Sequence, residues 1–139
     1  MSNCIFCQII TGEAPSYRIF EDEKTLVFLD IYPIARGHAL VIPKVQSGTL
    51  YEIKAEDMAA VGVTVSRVAR VLKNVLKCDG INVYQGNERA GLQEIMHVHF
   101  HVIPRWFKDS IVLTAKRIPL EEDSELIKDL SEAFNLNNF

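Results

Sequence analysis

Hydrophobic positions along the 139-residue chain change period several times, and each change marks an element. Over residues 4–10, Ile5, Phe6, Ile9 and Ile10 recur at helical spacing before Gly12, which predicts a short opening helix. Strands are expected at residues 17–20 and 24–29, joined as a hairpin by Glu21, Asp22 and Glu23. The segment from Tyr32 to Gly37 carries Pro33 as well as that glycine, and it reads as a loop into a strand at 38–42 that Pro43 closes. The longest helical run spans 55–77, with Met58, Val61, Val65, Val68, Leu72 and Val75 on one stripe. Glu56 and Asp57 lie near its positive end, Lys73 and Lys77 near its negative end, and Asp79-Gly80 supplies the stop. Further strands are expected at 81–85 and 95–103, the second ended by Pro104, with a polar loop at 86–91 between them and an amphipathic helix at 121–134. This order predicts a single α+β domain over 1–139 with a mostly antiparallel sheet.

Composition narrows the class. With 48% hydrophobic and 24% charged residues the chain has enough apolar surface to fold. A net charge of −3 gives no basic footprint for nucleic acid. No apolar run approaches the ~18–20 residues that span a bilayer, and the first basic residue, Arg18, comes too late for a secretory leader. A cytoplasmic protein without membrane or nucleic-acid partners is expected, and Cys4, Cys7 and Cys78 are expected as reduced thiols.

The chemistry is concentrated in His97, His99 and His101, three of the four histidines, at strict alternation. Random placement produces such a cluster in roughly one chain in a thousand. On a strand, Val98, Phe100 and Val102 enter the core while the three imidazoles line the opposite face. Two of them can converge on one metal, but His97 and His101 are separated by ~13 Å of extended backbone, so at least one ring has another task. Phosphate chemistry suits all three, because imidazole is a nucleophile that stays largely neutral at pH 7 and a hydrogen-bond donor to phosphoryl oxygens. Upstream, Gln85-Gly86-Asn87 and Gly91-Leu92-Gln93 supply amides and permissive turns for a loop that holds an anion.

The run from Gln93 to Arg105, QEIMHVHFHVIPR, resembles the signature of the histidine triad (HIT) family of nucleotide hydrolases and transferases. The resemblance extends to residues 4–10, to 28–33 and to 37–44, and it covers about 4–106, leaving 107–139 as a C-terminal extension. It implies a five-stranded antiparallel sheet with two main helices, a homodimer whose sheets join, and a purine nucleotide such as AMP or GMP as ligand. It implies a phosphoramidase-type hydrolase, with His99 attacking the α-phosphorus of a nucleoside phosphoramidate or related adenylate to form a nucleotidyl-histidine. The alternatives are a nucleotide-binding module with little turnover or a dinucleoside polyphosphate hydrolase. By motif position, His101, Gln93 and Gln85 resemble the phosphate clamp, and His97 resembles the residue whose carbonyl orients the nucleophile. Asp30 resembles the ribose acceptor, although a turn role suits it as well. Ile5, Phe6, Ile9, Phe28, Leu29 and Ile31 resemble the slot for the base, although core packing accounts for them equally.

Three positions depart from the family pattern. Leu92 intervenes between Gly91 and Gln93, and Glu94 stands where many members carry Ser or Thr. Cys4 and Cys7 resemble the thiols of zinc-binding members, where the first triad histidine and a later histidine complete the site. Here the later position is Gln46, so the expectation is Cys4, Cys7 and His97 with a water or another ligand, and no cofactor in catalysis.

Overall fold

The computed structural model describes residues 3–113, 117, 119–121 and 123–136. Its elements are α1 (Ile5–Thr11), β1 (Arg18–Glu21), β2 (Thr25–Leu29), β3 (Ala39–Pro43), α2 (Ala55–Leu76), β4 (Gly80–Tyr84), β5 (Phe100–Arg105) and α3 (Ser124–Leu136). The five strands form one sheet in the order β1-β2-β3-β5-β4, every neighbouring pair antiparallel. The expected α+β class with a five-stranded sheet is what the chain adopts.

Alternation in the central strands separates two apolar layers. Val27, Ala39, Val41 and Val102 face α2, where Val61, Val68 and Leu72 pack on them. Leu26, Phe28, Leu40 and Ile42 face α1, meeting Phe6 and Ile9. Each fully buried Val, Leu or Phe contributes about 1.5–3 kcal/mol relative to exposure, so these two layers dominate stability. The α2 stripe drifts from the expected one: Val75 is exposed, while Thr64 is buried and shares a 2.9 Å hydroxyl hydrogen bond with Thr25. At 3.6 residues per turn the face continues through Ala69, Leu72 and Leu76 and leaves Val75 to the side.

Helix ends follow local chemistry. In α1 the Cys4 sulfur accepts the Cys7 N–H, and Gly12 closes the helix at φ 84°. The α2 helix stops at Leu76, one residue before the expected end, with Lys77 left-handed at φ 53°. The chain must turn at once into β4, where the Asp79 N–H reaches the Arg105 carbonyl, and Lys73 Nζ covers the carbonyls of Cys78 and Asp79.

The expected strand at 95–103 is corrected at both ends. The His97 N–H turns back to the Ile95 carbonyl and the Val98 N–H bonds the Ser47 carbonyl, so the ladder starts only at Phe100. It then continues through Pro104, because β3 stops pairing at Val102 and a residue without an N–H is tolerated on the open side.

The chain falls into two compact units, Met1–Asp109 and Ser110–Phe139. In the second, Asp123 caps α3 by accepting the Leu126 N–H, and Leu126, Ile127, Leu130 and Phe134 are exposed. Of the helix expected at 121–134, residue 122 lies outside the described residues, as do residues 1–2, 114–116, 118 and 137–139 of the expected domain. Among the described residues no helix is long and apolar enough to cross a membrane.

Candidate active site

The three histidines emerge on the α1 face, and each has one ring nitrogen fixed by a different partner. His99 Nδ1 lies 2.7 Å from the carbonyl oxygen of His97, which can only accept. The proton therefore sits on Nδ1, and Nε2 carries a lone pair. Burial pushes the ring below its ordinary pKa, opposed by the bond to that carbonyl and by the Asp30 and Glu94 carboxylates. A neutral imidazole with its outer nitrogen unprotonated is the form that can attack phosphorus.

His101 is set through a chain of donors. The Ile34 N–H donates to His38 Nδ1 at 3.0 Å, so neutral His38 carries its proton on Nε2. That Nε2–H donates to His101 Nδ1 at 2.8 Å, which leaves the His101 proton on Nε2. Burial, then the neighbouring His99 and His38, lower the His101 pKa to about 4 against a pull from Asp30. His101 is thus a neutral donor beside a neutral His99, their ring centres 5.1 Å apart.

His38, the fourth histidine, is brought beside the triad by strand pairing. Register pairs Leu40 with His101, and His38 lies two residues before Leu40, on the same face of the alternation. The pairing that brings the two together is long-range, so no local pattern in the sequence signals it.

His97 is fully buried and faces the other way. Its Nε2 lies 2.8 Å from the Pro43 carbonyl, so the proton is there and the Nδ1 lone pair points outward. Around that lone pair stand Cys4 Sγ at 3.5 Å, Cys7 Sγ at 3.6 Å and Gln46 Oε1 at 3.2 Å. Cys4, Cys7 and His97 are able to hold a metal ion. Asp30, His38 and His101 also cluster, but both His38 nitrogens are already committed to hydrogen bonds.

The remaining expected residues are distributed unevenly. Asp30 accepts the Tyr32 N–H on Oδ1 at 2.8 Å and holds Oδ2 3.5 Å from His38 Nε2. Phe6, Ile9 and Phe28 are buried, Leu29 is half-buried, and Ile5 and Ile31 are exposed. Phe6 also presents an edge to His99, ring centres 5.2 Å apart, so the core packs directly against that ring.

Gln93 is tied inward: its amide donates to the carbonyls of Gly48 and Ile95, and its oxygen accepts the Glu88 N–H. Gln85 exchanges two hydrogen bonds with Asn87, whose Oδ1 accepts the Leu50 N–H. The loop closes tightly because Gly86 and Gly91 are glycines; a Cβ on Gly86 would stand 2.1 Å from the Gly91 oxygen. The extra residue Leu92 is accommodated at φ 64° with its side chain exposed. Beside it a cleft of about 620 Å³ is lined by Arg89, Leu92, Gln93, Glu94 and Met96.

A family model for the HIT domain matches residues 11–108. The chain belongs to the HIT family. It is 43% identical over 108 residues to adenosine 5'-monophosphoramidase HNT1 of Candida albicans, covering 75% of this chain and 71% of that one. A HIT family member from Bacillus subtilis superposes with a TM-score of 0.88 at 33% identity, over 99% of both chains. A zinc-bound histidine triad protein from Mycobacterium smegmatis matches with a TM-score of 0.76 at 36% identity, covering 97% of this chain and 98% of that one. HIT proteins are nucleotide-binding hydrolases as a family, which agrees with a neutral, oriented imidazole beside a hydrogen-bond donor.

Proposed function

We propose that this HIT protein hydrolyses purine nucleoside phosphoramidates or related adenylates through a covalent nucleotidyl-His99 intermediate. The observation that carries the reading is the hydrogen bond from His99 Nδ1–H to the carbonyl of residue 97, which aims the Nε2 lone pair. The named activity of the Candida relative supports the substrate class.

In the first step Nε2 of His99 bonds to the α-phosphorus as the phosphorus–nitrogen bond breaks, and the amine leaves with a proton drawn from solvent. The positive charge gained by the ring is held against the carbonyl of residue 97, while His101 Nε2–H donates to a phosphoryl oxygen. Water then displaces His99, releasing the nucleoside monophosphate and one proton. Asp30 is the proposed acceptor for the ribose hydroxyls, and Ile5 and Ile31 the exposed apolar edge of a base slot backed by Phe6, Ile9, Phe28 and Leu29. Gln85 and Gln93 act by shaping the loop around the phosphate, as their inward hydrogen bonds support.

The reading extends to AMP or GMP as the bound nucleotide and to a homodimer in the cytoplasm. Strand β4 ends the sheet with Val83 and Tyr84 exposed, an edge to which a second copy can add its own. Cys4, Cys7 and His97 would hold a zinc ion, which supplies a structural cross-link between α1 and residue 97 when bound and takes no part in the chemistry.

The test mixes protein with adenosine 5'-phosphoramidate, quenches in alkaline denaturant and weighs the protein by mass spectrometry. An added nucleotidyl mass that is absent in His99→Ala, together with loss of turnover, is expected. Unchanged turnover in His99→Ala removes the mechanism.

A further inference from the structure

The two departures at Leu92 and Glu94 meet in one place. Both line the cleft of about 620 Å³ that Arg89, Gln93 and Met96 complete. Gln93 belongs at once to this cleft and to the loop around the proposed phosphate site, and Met96 precedes the residue whose carbonyl aims His99. The Glu94 carboxylate also favours the charged form of the His99 ring, so its field reaches the reacting group. The base slot is assigned to other residues, with Ile5 and Ile31 outermost, which leaves this cleft for the other arm of the substrate.

We infer that the cleft seats the leaving group, and that Arg89 and Glu94 make it selective for an amine that carries a carboxylate, such as an amino acid joined to phosphorus through its nitrogen. The inference rests on the proposed hydrolase reading and names the leaving group which that reading left open.

The arrangement of charge carries it. One cation and one anion line the same cleft, both are exposed, and among the described residues neither side chain makes a hydrogen bond or ion pair. Opposite charges that share a cleft without neutralising each other offer a guest two poles, and a guest of one sign is repelled at one of them. A polyphosphate chain meets Glu94, and a plain polyamine meets Arg89. As the phosphorus–nitrogen bond breaks, its electron pair goes to nitrogen, which takes a proton from solvent and leaves as an ammonium whose charge Glu94 faces. A carboxylate on the same amine is left for Arg89, whose planar fork matches it with two parallel N–H bonds.

The apolar lining suits the rest of such a guest. Leu92 and Met96 are 75% and 52% exposed and offer a surface for an aliphatic side chain. Leu92 is held there at φ 64°, a conformation that costs a residue with a Cβ, and strain of this kind clusters at ligand sites.

The experiment compares kcat/KM for adenosine 5'-phosphoramidates N-linked to alanine, to alaninamide and to ethylamine, and for the p-nitrophenyl ester of AMP, whose leaving group departs as an anion. Wild type is expected to favour the alanine compound over its carboxamide about three- to tenfold, the scale of one charge-assisted contact at an exposed position. Arg89→Gln is expected to bring that ratio to about one, and Arg89→Glu to invert it. Glu94→Gln is expected to lower the ratio of the ethylamine compound to the p-nitrophenyl ester by a similar factor, and in a ratio any effect on nucleotide binding cancels. Circular dichroism checks that the variants keep their fold. The same preference for alanine over alaninamide is expected in the dissociation constants of phosphonates with CH₂ in place of the bridging N–H, which resist cleavage.

A ratio of one in wild type, or the wild-type ratio retained in both Arg89 variants, overturns the role of Arg89 and with it the carboxylate. An unchanged ratio of amine to ester in Glu94→Gln overturns the role of Glu94. Both results leave the His99 adduct in place. Full turnover in His99→Ala removes the hydrolase mechanism instead, and the phosphonate affinities still decide what the cleft selects.

Discussion

On one side of His99 the chain gathers lone pairs, and on the other it hands hydrogen-bond donors from one group to the next. The His97 side brings two sulfurs, a ring nitrogen and an amide oxygen to one point. The His101 side runs from the Ile34 N–H through His38 to His101, every acceptor matched to a donor. The residue type is the same and the alternation is unbroken, yet one ring turns a lone pair to its neighbours and the other is left with an N–H to donate. What differs is the acceptor or donor bound to the second nitrogen of each ring: the Pro43 carbonyl for His97, and the His38 N–H for His101. Sequence spacing places imidazoles on a face, and the neighbours of the far nitrogen decide what each imidazole does.

The contrast is broken most severely at His97. His97→Ala removes a fully buried ring and leaves the Pro43 carbonyl without its donor, at a cost of about 3–5 kcal/mol. Urea denaturation measures this, and a loss below about 1 kcal/mol contradicts the assigned burial and hydrogen bond.

Acid separates the sides next. His38, His97, His99 and His101 all have ring pKa values below the ordinary one because burial disfavours their charged forms. The unfolded chain therefore binds more protons than the folded one below its pKa of about 6.5, so stability is complete above that value and falls with decreasing pH. For His101 the loss is finished near pH 4 and amounts to about 3 kcal/mol. Chemical denaturation between pH 7 and 4 reads the slope, and His101→Gln should flatten it; an equal slope in that variant sinks the assignment.

His38 tests the donor chain itself. His38→Asn can still accept the Ile34 N–H but no longer reaches His101, so kcat is expected to fall about ten- to hundredfold with little change in KM. Gln, whose amide N–H occupies the place of imidazole Nε2–H, is expected to restore part of it. Equal rates in the two variants argue that His38 only fills space.

The smallest effect lies outside both sides. Leu92 holds a left-handed backbone, and Leu92→Gly is expected to gain about 0.5–1 kcal/mol in a thermal melt. A loss instead would show that the leucine side chain is a working part of the loop.

How much of this was readable in advance depends on the range of the interactions involved. Helix α2 was legible to within a residue because its periodicity, end charges and stop agree locally. The two faces of the histidine run were legible too, since Val98 and Val102 are fully buried opposite the rings. Residues 95–99 misled because alternation persists there without a ladder, the backbone bonding instead to Ser47 from a distant loop. His38 and Gln46 act on partners 63 and 51 residues away, and no local pattern reports such a meeting. The inward turn of Gln85 and Gln93 was hidden for the same reason, since the Gly48 carbonyl and the Leu50 N–H to which the loop is tied come from the segment before α2.

The acceptor that aims His99 belongs to the main chain, and every amino acid carries the same carbonyl. No codon change at position 97 can delete it. Heritable damage to the aim must therefore come from moving that peptide, which makes the packing beneath it the mutationally fragile part of the device.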